Sequence, residues 1–155
     1  MRLKTLFFVL IFSVFSFSPT YIQAETVSKE KNHGLNIALQ QVGSGNKFNE
    51  DGSNWCADFV VFVYKEKLPV EPSRSARALW NNFRKAGLTT ENPKPGDIIF
   101  FWRESPNSWK GHTGLVKEIT GTHIVTVEGN VKGKVTIRTY KLGEIPKLLG
   151  FGKIT

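Results

Sequence analysis

The sequence predicts an α+β fold, in which N-terminal helices pack on an antiparallel β-sheet. Apolar residues recur at helical spacing in the first half of the 155-residue chain and in strand-like patterns in the second half. Helices that precede the strands, instead of alternating with them, indicate an α+β domain and not a doubly wound α/β fold. The length suits one domain with a short extension.

Three short helices are predicted from apolar residues spaced three or four positions apart. They cover residues 34–42, 55–66 and 75–86. Ser53 or Asn54 is expected to be the N-cap of the second helix, because either side chain can accept a hydrogen bond from a free N–H group. Gly87 is expected to end the third helix. Residues 25–33 are polar and charged and are expected to form a flexible leader.

Four strands are predicted in the second half of the chain. They cover residues 97–103, 112–119, 123–128 and 133–140. The first is an apolar run that follows Pro95-Gly96, as expected for a buried strand, and the last alternates apolar and polar residues. The second and third flank a turn at residues 120–122 and are typical of a β-hairpin.

The N-terminus has the pattern of a secretory signal peptide over residues 1–24. Arg2 and Lys4 precede an apolar run of about twelve residues, which is shorter than the roughly 20 that span a bilayer. Ala24 is expected to be the last residue removed, because it is small and a polar stretch follows it. The protein is then secreted or periplasmic, without stable membrane insertion after cleavage. An uncleaved membrane anchor is the alternative.

Charge and cysteine content restrict the classes of function. Loss of Arg2 and Lys4 with the signal peptide lowers the formal net charge of +8 by two, to +6. A positive chain suits an anionic partner such as a wall polymer, a lipid surface or nucleic acid, and export weakens the last of these. The single cysteine excludes an intramolecular disulfide and a Cys₄ or Cys₂His₂ zinc site. No metal or organic cofactor is expected.

An unpaired cysteine in an oxidising compartment is unusual, and its position offers a reason. Cys56 lies in the first turn of the second predicted helix, where the helix dipole and free N–H groups favour a thiolate and could hold an oxyanion. His112 is a candidate base, and Glu128 or Asn130 could orient its imidazole. The alternative is that Cys56 is a small core residue.

The site depends on the register of the predicted hairpin. A two-residue turn would place His112 opposite Val131, with Glu128 and Asn130 on the other face of the sheet. A three-residue turn would place His112 opposite Asn130, with Glu128 diagonal to it on the same face. The hypothesis therefore predicts an odd loop or one bulge, and Gly121 is expected to supply a positive φ.

Four segments of the sequence resemble the motifs of CHAP domains, the cysteine, histidine-dependent amidohydrolases/peptidases. Asn54–Val60 resembles the "WCA-x-FV" nucleophile segment, and Pro95–Phe101 resembles the "PGD" strand. Gly111–Val116 resembles the "GH-x-G" histidine strand, and Glu128–Asn130 resembles the "E-x-N" pair. The likeness extends over roughly residues 34–140 of this chain. NlpC-type peptidases share this architecture.

This resemblance implies a papain-like domain at residues 34–155 that hydrolyses amide bonds in peptidoglycan. It implies that Cys56 is the nucleophile, His112 the general base, Glu128 the residue that orients the imidazole, and Asn130 a further polar member of the site. N-acetylmuramoyl-L-alanine amidase and peptide endopeptidase activities share such a site, so the bond cut is left open. The runner-up is a non-catalytic wall-binding module on the same fold. A nucleic-acid or lipid binder ranks last, because neither a nucleic-acid motif nor a long basic amphipathic helix is present.

Residues near these motifs are candidates for substrate contacts. They are Trp55, Asp58, Trp102 and Trp109. Trp102 and Trp109 could line a groove, although packing would explain them equally well. Asp58 stands where many sequences of the family have a small residue. It could bind a substrate amine or disfavour the thiolate, and it is also a candidate helix cap.

Overall fold

A computed structural model describes residues 19–155. In this part of the chain the helices are Pro19–Gln40 (α1), Cys56–Tyr64 (α2) and Ala76–Lys85 (α3), with a 3₁₀ turn at Lys65–Lys67. The strands are Thr89–Thr90 (β1), Ile98–Trp102 (β2), Gly111–Ile119 (β3), His123–Val131 (β4), Lys134–Lys141 (β5) and Leu148–Gly152 (β6). They form one antiparallel sheet in the order β1-β6-β2-β3-β4-β5. The predicted α+β class is confirmed.

The α2 helix is the central element of the larger apolar core. Seven of its nine residues are buried, and Phe59 and Val60 are fully inaccessible to solvent. They belong to the same cluster as Leu115 of β3 and Val127 of β4, so α2 lies against the middle of the sheet. Burial on this scale fixes the start of α2 relative to the ends of β3 and β4.

The ends of α3 follow the sequence prediction. The side chain of Ser75 accepts a hydrogen bond from the Ala78 N–H at 3.3 Å and is the N-cap. Gly87 follows the last turn with a φ of +68°, a conformation that glycine adopts without steric cost. These two end signals confirm the predicted helix to within about one residue.

The predicted N-cap of α2 is wrong. The helix begins one residue later, and its N-cap is Trp55, which makes no side-chain capping bond. The two expected caps have other partners: Ser53 Oγ accepts from Arg74, and Asn54 Oδ1 accepts from Asn130. The first N–H groups of α2 are therefore free of a side-chain cap.

The prediction of a flexible leader at residues 25–33 is wrong, because these residues are part of α1. The Lys31 ammonium lies 2.7 Å from the Asp97 carboxylate, and the two side chains are 9% and 2% exposed. Gly96 makes this approach possible, since an added Cβ there would lie 2.7 Å from Lys31 Cβ. A buried ion pair with a residue far along the sequence cannot be foreseen from local composition.

Most of the predicted signal peptide, residues 1–18, lies outside the described residues. Residues 19–24 form the start of α1. Across residues 19–155, no helix combines the length and apolar character needed to span a membrane.

The β3–β4 hairpin contains the bulge that the site hypothesis requires. Near the turn Glu118 pairs with Val125, but the next pair is Val116 with Thr126, so Lys117 is the extra residue. The turn itself is short, because the Thr120 N–H donates to the His123 carbonyl at 2.8 Å. One bulge is therefore confirmed.

The expected place of the irregularity is wrong. Gly121 does not have a positive φ, and the extra residue lies within β3 at Lys117. Two strands were also missed by sequence reasoning. Both β1 and β6 are short, and β6 contains two glycines, so neither carries a clear strand pattern.

We expect Asp97→Ala to lower the free energy of unfolding by about 3–5 kcal/mol, because the buried Lys31 ammonium and the N–H groups of Lys94 and Ile154 would lose their acceptor. Urea denaturation measures this change. Glu144→Ala is the matched control, since it breaks an ion pair with Lys141 whose side chains are 61% and 66% exposed. The control should cost less than about 1 kcal/mol. Equal losses in both variants would contradict the anchoring of α1 by Lys31.

Candidate active site

Cys56 is the first residue of α2 and so lies in the first helical turn, as the sequence predicts. Its side chain is a free thiol and is 5% exposed. Ala57 and Ala76 pack around it, so small side chains border the sulfur. Helix N-termini carry partial positive charge and N–H groups without intrahelical partners. The thiol therefore lies where a negative charge is stabilised.

His112 lies near the start of β3, directly across from Phe101 of β2. It is 5% exposed, and its ring centroid is 5.9 Å from that of Phe101. Its Nε2 lies 2.8 Å from Glu128 Oε2, and the Cys56 side chain is close enough to raise the pKa of the ring. The imidazole thus lies between the thiol and the carboxylate.

Glu128 reaches His112 because of the hairpin register. It pairs with Gly114, two residues along β3 from His112, which is the predicted diagonal relation. Gly114 leaves room for this side chain: an added Cβ would lie 2.6 Å from Glu128 Cγ and 2.7 Å from the Val127 carbonyl oxygen. A larger residue at this position would displace the carboxylate.

The imidazole and the carboxylate shift each other's titration. Burial lowers the pKa of His112, but its hydrogen bonds to Cys56 and Glu128 and the charges of both outweigh burial and raise it above 6.5. Burial raises the pKa of Glu128, but hydrogen bonds from His112, Thr126 and Tyr140 outweigh it, and the pKa falls below 4.5. The geometry therefore favours imidazolium beside carboxylate.

Two further side chains hold Glu128 and were missed by sequence reasoning. Thr126 Oγ1 donates to Glu128 Oε1 at 2.6 Å, and the Tyr140 hydroxyl donates to the same oxygen at 2.8 Å. Thr126 could have been found, because strand residues two apart share a face. Tyr140 could not, because its position depends on the register between β4 and β5, which shifts just after Glu128.

Asn130 lies close to the segment that leads into α2. Its φ is +60°, and its side chain donates to Asn54 Oδ1 at 3.3 Å. The structure therefore places Asn130 beside the side chain of Asn54, two residues before Cys56, and gives the contact with the imidazole to Glu128.

Asp58 is bound by neighbouring side chains. Its Oδ2 accepts from Asn49 Nδ2 at 2.8 Å, and its Oδ1 accepts from Arg74 Nε at 3.2 Å. The guanidinium of Arg74 also holds Asp51 at 2.8 Å. Asp58 is 8% exposed, and both of its carboxylate oxygens accept hydrogen bonds. It therefore connects the loop before α2 to the helix.

The three candidate tryptophans have different surroundings. Trp55 is 3% exposed and packs on Phe48 with ring centroids 5.2 Å apart, which makes it a core residue and argues against substrate contact. Trp109 is 75% exposed, and Lys110 Nζ lies 5.5 Å from its ring. Trp102 is partly buried at the end of β2, under Lys147.

Comparisons with solved structures show a shared fold. A structure of Ly7917 matches with a TM-score of 0.60 at 20% identity, over 80% of this chain and 62% of that chain. Another, described as Ly7917 with the hydrolyzing product of MDP, gives 0.60 at 18% identity with the same coverage. The peptidoglycan hydrolase RipB from Mycobacterium tuberculosis gives 0.54 at 16%, over 91% of this chain and 74% of that chain.

The chain spans less than two thirds of the length of Ly7917. No curated protein sequence gives a significant match. The family comparison is more specific, because the CHAP domain model matches residues 48–130, which are more than half of the chain. The matched range contains the thiol, the imidazole and the carboxylate described above. This chain therefore belongs to the CHAP domain family.

Proposed function

We propose that this protein is a secreted or periplasmic cysteine hydrolase that cuts amide bonds in peptidoglycan. The observation that carries the proposal is the arrangement of a buried thiol at a helix N-terminus, an imidazole beside it, and a carboxylate 2.8 Å from the imidazole. Membership of the CHAP family and a fold shared with the peptidoglycan hydrolase RipB support the choice of substrate.

In the proposed mechanism, His112 takes the proton of Cys56 and forms an imidazolium beside a thiolate. The thiolate attacks an amide carbonyl, and His112 then protonates the leaving amine. Water, deprotonated by His112, releases the acyl group and restores the thiol. Glu128 orients the imidazole and stabilises its charged form. The burial of Glu128 and its 2.8 Å contact with His112 Nε2 support this role.

We assign the oxyanion site to the N–H groups at the start of α2. The absence of a side-chain cap on this helix leaves those donors available near Cys56. The positive end of the helix dipole also points to this position. Backbone donors placed in advance where negative charge develops are among the strongest contributions to acyl-transfer catalysis.

Substrate contacts are proposed at the exposed end of the β2–β3 connection. Trp109 presents an apolar ring face with a lysine ammonium close by, and it lies two residues before β3, which carries His112. An aromatic ring with a nearby cation suits a polymer that combines sugar rings with carboxylates. Trp102, covered by Lys147, would continue this surface. The positive net charge of the chain favours the same class of polymer.

We expect Cys56→Ala and His112→Ala to lower the release of fragments from purified peptidoglycan by at least about 10³-fold, because each removes a group that takes part in bond cleavage. Mass spectrometry of the digest measures turnover and identifies the bond as an amidase or endopeptidase cleavage. His123→Ala is the matched control, since His123 is an exposed histidine at the start of β4.

Circular dichroism is used to check that each variant is folded. Full activity of Cys56→Ala would contradict the proposal. Binding of the wild-type chain to peptidoglycan without any product would support the non-catalytic wall-binding module instead.

We expect Trp109→Ala to raise KM by about two- to tenfold with little change in kcat, because loss of an aromatic contact removes binding shared by ground state and transition state. Steady-state digestion of soluble peptidoglycan fragments measures both constants. Ile137→Ala, at another exposed apolar side chain (43%), is the control. An unchanged KM in Trp109→Ala would remove this residue from the substrate site.

A further inference from the structure

The Glu128 carboxylate divides its two oxygens between different partners. Oε2 faces His112 Nε2 at 2.8 Å, whereas Oε1 accepts from Thr126 Oγ1 at 2.6 Å and from the Tyr140 hydroxyl at 2.8 Å. The side chain of Glu128 is completely buried. A buried carboxylate is costly unless its lone pairs are satisfied, so these donors are needed for the charge to persist.

The two hydroxyls approach Glu128 from different strands. Thr126 precedes it by two residues on β4, and Tyr140 comes from β5, where it pairs with Ile124. The terminal torsion of a glutamate has only shallow rotational preferences. Two short hydrogen bonds to Oε1 therefore restrict rotation of the carboxylate and keep Oε2 directed at the imidazole.

The Tyr140 ring also packs on Phe101, which lies beside the imidazole. Its centroid is 5.4 Å from that of Phe101, and the Phe101 centroid is 5.9 Å from that of His112. Burial, together with the charge and hydrogen bond of Glu128, raises the pKa of Tyr140 well above 10, so its hydroxyl remains a donor. Tyr140 thus contacts Glu128 directly and is linked to His112 only through Phe101.

Among the described residues, two arginines bring positive charge to this network. Arg138 Nη1 lies 3.9 Å from Glu128 Oε2, and its side chain is 45% exposed. The same guanidinium stacks 5.1 Å from the Tyr140 ring, and Arg103 also acts on the Tyr140 hydroxyl through its charge. Neither arginine replaces the two hydroxyls, because both of these donate directly to Oε1.

We propose that Tyr140 and Thr126 are positioning residues, which act on the reaction through Glu128 by holding its carboxylate ionised and aimed at His112. This inference rests on the proposed function. It adds two residues from outside the motifs that identified the site, and one of them lies on β5, beyond the matched residues 48–130.

The test compares Tyr140→Phe with the native chain. Loss of the hydroxyl removes a donor to a buried carboxylate, so the pKa of Glu128, followed by carbon NMR, should rise. The alkylation rate of Cys56 by iodoacetamide at pH 6 should fall by about tenfold or more, as expected for loss of a hydrogen bond to a charged group. The low-pH limb of the alkylation profile should move to higher pH.

Tyr64→Phe is the matched control. Its hydroxyl is also buried and donates to the Gly96 carbonyl, but Tyr64 ends α2, which Cys56 begins. Over nine residues these ends are about 12 Å apart. The control should leave both the alkylation rate and the pKa of Glu128 unchanged. For the second hydroxyl, Thr126→Ser should keep the native alkylation rate of Cys56 and the native pKa of Glu128. Thr126→Val should change both in the same direction as Tyr140→Phe.

Native values of both measurements in Tyr140→Phe would overturn the role of Tyr140, and equal behaviour of Thr126→Ser and Thr126→Val would overturn that of Thr126. Failure of the proposed function gives a different result: the native Cys56 would be unreactive at pH 6. The pKa of Glu128 would still test the positioning role in that case. Circular dichroism of each variant confirms that the chain is folded.

Discussion

The position of Glu128 depends on one extra residue in β3, Lys117. A hairpin of the same length with a two-residue turn and no bulge would be paired one residue out of register, which turns the Glu128 side chain to the opposite face of the sheet from His112. The bulge corrects this, so that Glu128 pairs with Gly114 and reaches the imidazole diagonally. A local feature far from the thiol thereby decides whether the site can form.

The same contacts connect the stability of the sheet with the chemistry of the site. A fully buried carboxylate is tolerated only where it is paired and hydrogen-bonded, and Glu128 has donors on three side chains. Those donors come from β3, β4 and β5, so three strands must be correctly paired before the carboxylate is satisfied. The helix that carries Cys56 is placed by packing of Phe59 and Val60 against the same strands.

Much of the site could be predicted from the sequence, because its residues lie in strong local patterns. Cys56 stands at the start of a helical apolar repeat, and His112 and Glu128 flank a clear hairpin. Because side chains alternate between the two faces of a strand, the site required an odd loop or one bulge. The bulge exists, but it lies at Lys117 and not at Gly121. Thr126 shares the face of Glu128, but Tyr140 depends on a shift in the β4–β5 pairing that no local pattern indicates.

The remaining differences from the sequence prediction arise from tertiary contacts. Residues 25–33 look like a polar leader, yet Lys31 pairs with Asp97 and the segment is helical. Trp55 is next to Cys56 and is a candidate for substrate contact from the sequence, yet it packs on Phe48 in the core. In both cases a tertiary contact determines the environment of the residue, and composition alone does not reveal that contact.

We propose that Glu128, through His112, makes Cys56 reactive. The most direct measurement is the rate of Cys56 alkylation by iodoacetamide as a function of pH, in the native chain and in Glu128→Gln. We expect the native thiol to react at pH 6, because the raised pKa of His112 keeps the imidazolium beside it, and we expect this reactivity to fall by about tenfold or more in Glu128→Gln. An alkylation rate at pH 6 that is the same in both proteins would contradict the account.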